Sequence, residues 1–173
     1  PGDTLRFFLW WREGVVGGKP TGRVDIDLSA VVYDGGWAYR GHVSFTNLRA
    51  LEFRAAHSGD ITSAPDGACE FIDLDIPSVL RAGGRYVVLS VLAYTSQPFC
   101  DLPECFAGWM ARSEPGSGEV FEPATVVDRV DLAAASRVCV PVVLDLAARS
   151  LFWADLGLTK APDRAVTIES NQR

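Results

Sequence analysis

Residues Arg23 to Tyr33 read RVDIDLSAVVY, and their alternation decides the fold. Val24, Ile26, Leu28, Ala30 and Val32 fall on one side, and Asp25, Asp27 and Ser29 on the other. That is the period of two expected of a half-buried β-strand. The same kind of signal recurs outward from this stretch. LRFFLWW (Leu5 to Trp11) is aromatic and β-prone, and the glycine-rich EGVVGGKPTG that follows stops any helix. FIDLDI, RYVVLSVLAY, FAGWMAR, RVCVPVVLDL and RSLFWADL are each strand-sized, with turns rich in Gly, Pro, Ser and Asp between them. WAYRGHVSFTNLRALEFRAAH (Trp37 to His57) reads as loop and strand. Many short strands at regular spacing indicate an all-β fold, an antiparallel β-sandwich with short helical turns in its connections. PSVLRAGG and VDLAAASR each fit such a turn, and Ala133 to Ala135 favour it locally. Ser113 to Val126 (SEPGSGEVFEPATV) reads as a flexible excursion. Residues 1–160 are assigned to the sandwich and 161–173 to a polar tail or linker.

A chain of 173 residues suits one domain with a substantial core. With 16 Lys and Arg against 22 Asp and Glu, the formal charge is -6, which repels phosphate backbones and argues against nucleic acid as a partner. The longest apolar runs, such as Tyr86 to Tyr94 with Ser90 inside it, are strand-sized, so no membrane span is expected. Cys69, Cys100, Cys105 and Cys139 are too few and too scattered for a disulfide scaffold, and a reduced, cytoplasmic protein is the expectation. A zinc site from these four lacks two tight CxxC-like pairs, and buried or loop thiols account for them better. The chain opens at Pro1 with neither an initiator Met nor a leader. The expectation is an excised domain or a trimmed chain.

The chemistry concentrates in HSGDITSAPDGACEFIDLD, His57 to Asp75, where Asp60, Asp66 and Glu70 are punctuated by Gly59, Pro65 and Gly67. Strand residues two apart share a face, with Cα atoms about 6.5 to 7 Å apart, so Asp25 and Asp27 can lean toward one cation. Calcium takes about six to eight oxygens in a tolerant geometry, and an irregular loop with turning glycines can supply more of them. On the residues alone, a solvated face for Asp25 and Asp27 and a turn-rich connection for Asp60 to Glu70 stand slightly ahead of a metal site. The pattern is not an EF-hand. His57, Ser58 and Asp60 are neighbours in sequence and cannot form a hydrolase triad, and no G-x-S-x-G elbow exists, so no catalysis is expected. His57 is expected to hydrogen-bond its own loop. Asp73 and Asp75 share a face that could border the metal loop. Five tryptophans, Trp10, Trp11, Trp37, Trp109 and Trp153, read mostly as core. Were they exposed and coplanar near the acidic loop, they would point instead to a glycan-binding sandwich with structural calcium or none.

Asp25-Ile26-Asp27-Leu28-Ser29-Ala30, then His57-Ser58-Gly59-Asp60, then Glu70-Phe71-Ile72-Asp73-Leu74-Asp75 resemble the TerD family of tellurium-resistance and stress-response proteins. That family has a DLDAS strand, an H-x-GD loop, an acidic stretch closing on Glu, and a hydrophobic strand. The resemblance covers roughly residues 3–157. It implies a calcium-binding β-sandwich without known catalysis, acting as an interaction or regulatory module in bacterial chemical-stress resistance, with protein partners. By position it carries metal binding to Asp25, Asp27, Asp60 and Glu70, while Asp66 lies in the same loop without a definite counterpart. The chain departs from the family where Ile61 stands for the usual Asn and Cys69 for an acid, in a loop about one residue shorter. Fewer carboxylates imply weaker calcium affinity, and one site rather than two.

Overall fold

The computed structural model describes residues 3–157; the tail assigned to 161–173 lies outside them. The strands are β1 (Thr4–Arg12), β2 (Val15–Val16), β3 (Lys19–Pro20), β4 (Ile26–Tyr33), β5 (Tyr39–Val43), β6 (Arg49–Ala50), β7 (Ala55–His57), β8 (Ala68–Asp75), β9 (Tyr86–Ala93), β10 (Glu104–Arg112), β11 (Val126–Asp131), β12 (Val138–Asp145) and β13 (Ser150–Gly157). One sheet runs β11-β10-β1-β8-β7-β6 and the other β13-β12-β9-β4-β5, while β2 and β3 form a small ribbon. Neighbouring strands are antiparallel. The β-sandwich expected from the alternation is the fold observed.

The core lies between the sheets. Phe7, Leu9 and Trp11 of β1 and Ile72 and Leu74 of β8 meet Ile26, Leu28 and Ala30 of β4 and Leu89 and Val91 of β9, all buried. The apolar side of Arg23–Tyr33 thus faces inward, as its period requires. The one α-helix among the described residues, α1 (Ile76–Arg81), begins where Asp75 Oδ1 accepts the Ser78 N–H at 2.9 Å, with Pro77 in its first turn. Asp75 is therefore a helix cap. Asp73 binds Arg6 through two hydrogen bonds of 2.6 Å. Neither borders the acidic loop.

Two other expectations differ from the structure. Ala133–Ala135 form no helix, because the backbone there serves the sheets. Leu132 N–H donates to Cys105 C=O, while Ala134 and Ser136 C=O accept from Cys100 and Phe99. Tertiary bonds outweigh the helical propensity of alanine. The Ser113–Val126 excursion holds a 3-10 turn at Pro123–Thr125 and is strapped to the outer face of the six-stranded sheet. Buried Arg6 donates to Glu119 and Val120 C=O, and buried Arg112 pairs with Glu122. The strand that follows it, β11, has a weak sequence signal because most of its residues are exposed.

Gly67 is where the acidic loop turns into β8. Its φ is +93°, and a Cβ there would lie 2.4 Å from Cζ2 of Trp10. Both the backbone and the overlying indole demand glycine. Gly67→Ala is expected to cost about 2–4 kcal/mol in a denaturant titration. Gly59→Ala, with a positive φ but open space around it, should cost less.

Candidate metal centre

The site forms because β4 has a neighbour on one side for only half its length. β9 pairs with it from Ile26 to Tyr33, whereas β5 pairs only from Ala30 to Tyr33. Along that half and the residues leading into it, side chains from the strands of the other sheet and their ends supply the missing hydrogen bonds. Val24 N–H donates to Glu13 Oε1 at 3.0 Å, and Val24 C=O accepts from Trp11 Nε1 at 3.0 Å. Leu28 N–H donates to Glu70 Oε2 at 3.0 Å, and Leu28 C=O accepts from His57 Nε2 at 3.0 Å.

The same two glutamates hold the acidic loop. Glu70 Oε1 accepts the Ile61 N–H at 3.0 Å, and Glu13 Oε1 accepts the Ala64 N–H and the Ser63 hydroxyl, each at 2.8 Å. Burial works against Glu13 ionising, but these backbone and hydroxyl donors, together with Arg23, hold its carboxyl below the usual range. His57 is fixed by both ring nitrogens, since Gly59 N–H donates to Nδ1 at 3.0 Å. That pattern places the proton on Nε2 and leaves no free nitrogen for a general base. His57 bonds its own loop, as expected, and the strand as well.

So braced, the loop carries Asp60 onto Asp25 and Asp27. A carboxylate oxygen from each of the three lies within 4.8 Å of the other two, and among the described residues this is the one tight gathering of His, Cys, Asp or Glu ligand atoms. Asp25 and Asp27 are buried, and Asp60 is exposed at the mouth. Asp25 N–H donates to Thr95 Oγ1 at 3.0 Å. Asp27, only 3% exposed, has an Oδ2 with no hydrogen-bond partner. Burial, then the charges of Glu70, Asp25 and Asp60, push its carboxyl up to about 8. Burial and the charge of Asp60 raise Asp25 too, against the pull of Arg23.

Of the five residues assigned from sequence, the structure brings three together. Glu70 stands behind them, fully buried, with each oxygen on a backbone N–H. Asp66 lies exposed on the turn before Gly67, outside the cluster. The solvated side expected of Asp25 and Asp27 on residue grounds alone is instead buried. Glu13 and Thr95, which brace the site, carry no sequence signal beyond their residue types. The tryptophans divide otherwise than expected: Trp11 and Trp109 are buried, while Trp37 and Trp153 are about half exposed. Trp37 stacks on Tyr86 at a 4.1 Å centroid separation. That pair sits at the far end of β4 from Asp25, about 25 Å away along the strand.

No protein-family model matches the chain, and no curated protein matches it either. The solved structures that match include two that do so along nearly its whole length. One is the crystal structure of the unknown-function protein SAV2460, 16% identical over 92% of both chains, with a TM-score of 0.67. The other is a homologue of the telluride resistance protein TerD, SCO6318 from Streptomyces coelicolor A3(2), 11% identical over 94% of both chains, with a TM-score of 0.68. Similarity at such identities speaks to architecture, and on that ground the chain has a TerD-like fold.

Proposed function

We propose that the chain is a TerD-like module that binds one calcium ion at Asp25, Asp27 and Asp60, and that it acts without catalysis as an interaction or regulatory unit. The observation that carries this reading is the orphaned, buried Oδ2 of Asp27 beside two further carboxylates. A buried polar atom with no partner is costly, and a hard cation would satisfy it. The donor set is all oxygen, which suits calcium better than zinc or copper. Three side chains supply only part of a calcium shell, leaving positions for water, loop carbonyls or an oxygen of a partner. The ion supplies charge neutralisation there, and Glu13, Glu70 and His57 hold the loop that presents Asp60 to it. Binding would order the His57–Glu70 segment into a surface for a protein partner. A cytoplasmic role in bacterial tellurite-type stress resistance follows from the TerD resemblance and is part of the same proposal.

Isothermal titration after chelation is expected to show saturable calcium binding near one equivalent, with a concentration-dependent rise in melting temperature. Asp25→Asn, Asp27→Asn and Asp60→Asn should each remove both effects, whereas Asp66→Asn should leave them intact. Equal loss in all four variants would refute the assignment. Glu70→Gln separates brace from ligand. It replaces an acceptor facing two backbone N–H groups with an amide that can serve only one, at about 1–3 kcal/mol of stability, and the one-to-one calcium stoichiometry should survive.

The proton on Asp27 gives a third test. Its folded value of about 8 stands above the ordinary 3.8, so between these limits the metal-free folded state holds a proton that the unfolded chain has released. The stability from this group is therefore complete below about pH 4 and is lost as pH rises through about 8. Melting temperatures of chelated protein across that window should fall less steeply in Asp27→Asn. In the same window calcium competes with the proton, so affinity should weaken as pH falls and binding should release protons to the buffer.

A further inference from the structure

At the end of the sandwich away from Asp25, a cavity of about 300 Å³ is lined from both sheets. Its place follows from the register. Tyr86 pairs with Tyr33 at the end of β4 and with Asp145 at the end of β12, so the turn from β12 to β13 lies opposite the carboxylate cluster. In the other sheet, the paired Leu5 and Ala111 stand at the matching ends of β1 and β10. Buried Ile76, Trp109, Leu144 and Leu146 form the floor, and exposed Val127 and Arg149 stand at the mouth. Ala111 continues the inward series of Cys105, Ala107 and Trp109, and its single methyl leaves the space between the layers unfilled.

An apolar cavity of about 150 Å³ takes up one benzene, so this one has room for about two rings. Small-molecule sites are mostly apolar, with a few polar groups that fix orientation. Here those groups are Asp145, Arg149 and Ser150 at the β12–β13 turn. Asp145 is already engaged: Arg85 donates to it, as do the Ala147 and Ala148 N–H groups, and together they hold its carboxyl below the usual range. Arg149 is not. Its guanidinium stands 3.6 Å from Asp3, beyond hydrogen-bonding distance, and both side chains are exposed, so the pair is weak and the charge the mouth offers an incoming group is positive. The turn also holds Arg149 at a φ of +49°, a conformation that costs a non-glycine residue energy and recurs at ligand clamps. We propose that the cavity binds a small aromatic carboxylic acid of one or two rings, its ring system against Trp109 and its carboxylate at Arg149 and the Ser150 hydroxyl. This site is independent of the proposed calcium ion.

Isothermal titration of chelated protein with naphthalene-2-carboxylate is expected to give saturable one-to-one binding, tighter than that of the neutral naphthalene-2-carboxamide. Ala111→Phe fills the cavity and should weaken both probes by at least about tenfold, with the wild-type circular dichroism spectrum retained. Arg149→Gln, at an exposed position, should weaken the acid by about three- to tenfold and leave the amide unchanged. Asp60→Asn, in the carboxylate cluster at the other end, should alter neither affinity, so failure of the calcium reading and failure of this one are told apart. No saturable heat at millimolar probe overturns the proposal, as does binding that a folded Ala111→Phe leaves intact. Should Ala111→Phe fail to fold, the contrast between acid and amide in Arg149→Gln decides alone, and an acid that this variant binds as tightly as the wild type overturns the assignment.

Discussion

The structure depends on how the unpaired half of β4 is satisfied. From Val24, just ahead of β4, to Leu28 within it, the chain lies in the interior with no strand on the side away from β9. Buried backbone groups must find partners, and here Trp11, Glu13, His57 and Glu70 donate or accept in place of a ladder. All four come from β1, β7, β8 and their ends in the opposite sheet. The sandwich is therefore fastened across its layers by directional bonds as well as by packing. Each such bond contributes about 0.5–1.5 kcal/mol net, and each group left unsatisfied would cost about 1–3 kcal/mol.

That fastening also explains why three carboxylates converge. Glu13 and Glu70 use one oxygen set for the strand and the loop together, so the loop cannot drift from β4 without breaking bonds on both. Asp60 is delivered to Asp25 and Asp27 as a consequence. Crowding acids in a dry corner disfavours the charged forms, and the raised Asp25 and Asp27 are the electrostatic cost of that arrangement. A proton relieves it, and a divalent cation bound there would relieve it more completely.

The inward face of the sandwich was legible from alternation alone, since Val24, Ile26, Leu28, Ala30 and Val32 sit in the core where period two puts them. The acidic residues were legible as a set but not as a geometry. Whether Asp25 and Asp27 face water depends on a loop that arrives from the other sheet, and sequence spacing does not encode that arrival. Nor does it show that Glu70 spends its oxygens on Leu28 and Ile61 while Asp66 turns outward. Ala133–Ala135 misled for a related reason: local propensity favours helix, but backbone partners from Phe99 to Cys105 hold the segment extended.

The contrast between β8 and β9 carries the last step. In β8 the outward positions are Cys69, Phe71, Asp73 and Asp75, and the aspartates have their own duties with Arg6 and α1. In β9 the outward positions are Tyr86, Val88, Ser90 and Leu92, so YVVLSVLA is apolar on both faces. Near-continuous apolar runs belong to strands covered on both sides. Val87, Leu89, Val91 and Ala93 meet the six-stranded sheet, while Val88 and Leu92 on the opposite side are half-buried by their neighbours in the sheet. Pairing with β12 removes part of Val88 and Leu92 from water, and each Å² so covered is worth about 25 cal/mol, so the apolar register between these strands stabilises the sheet from both of its faces.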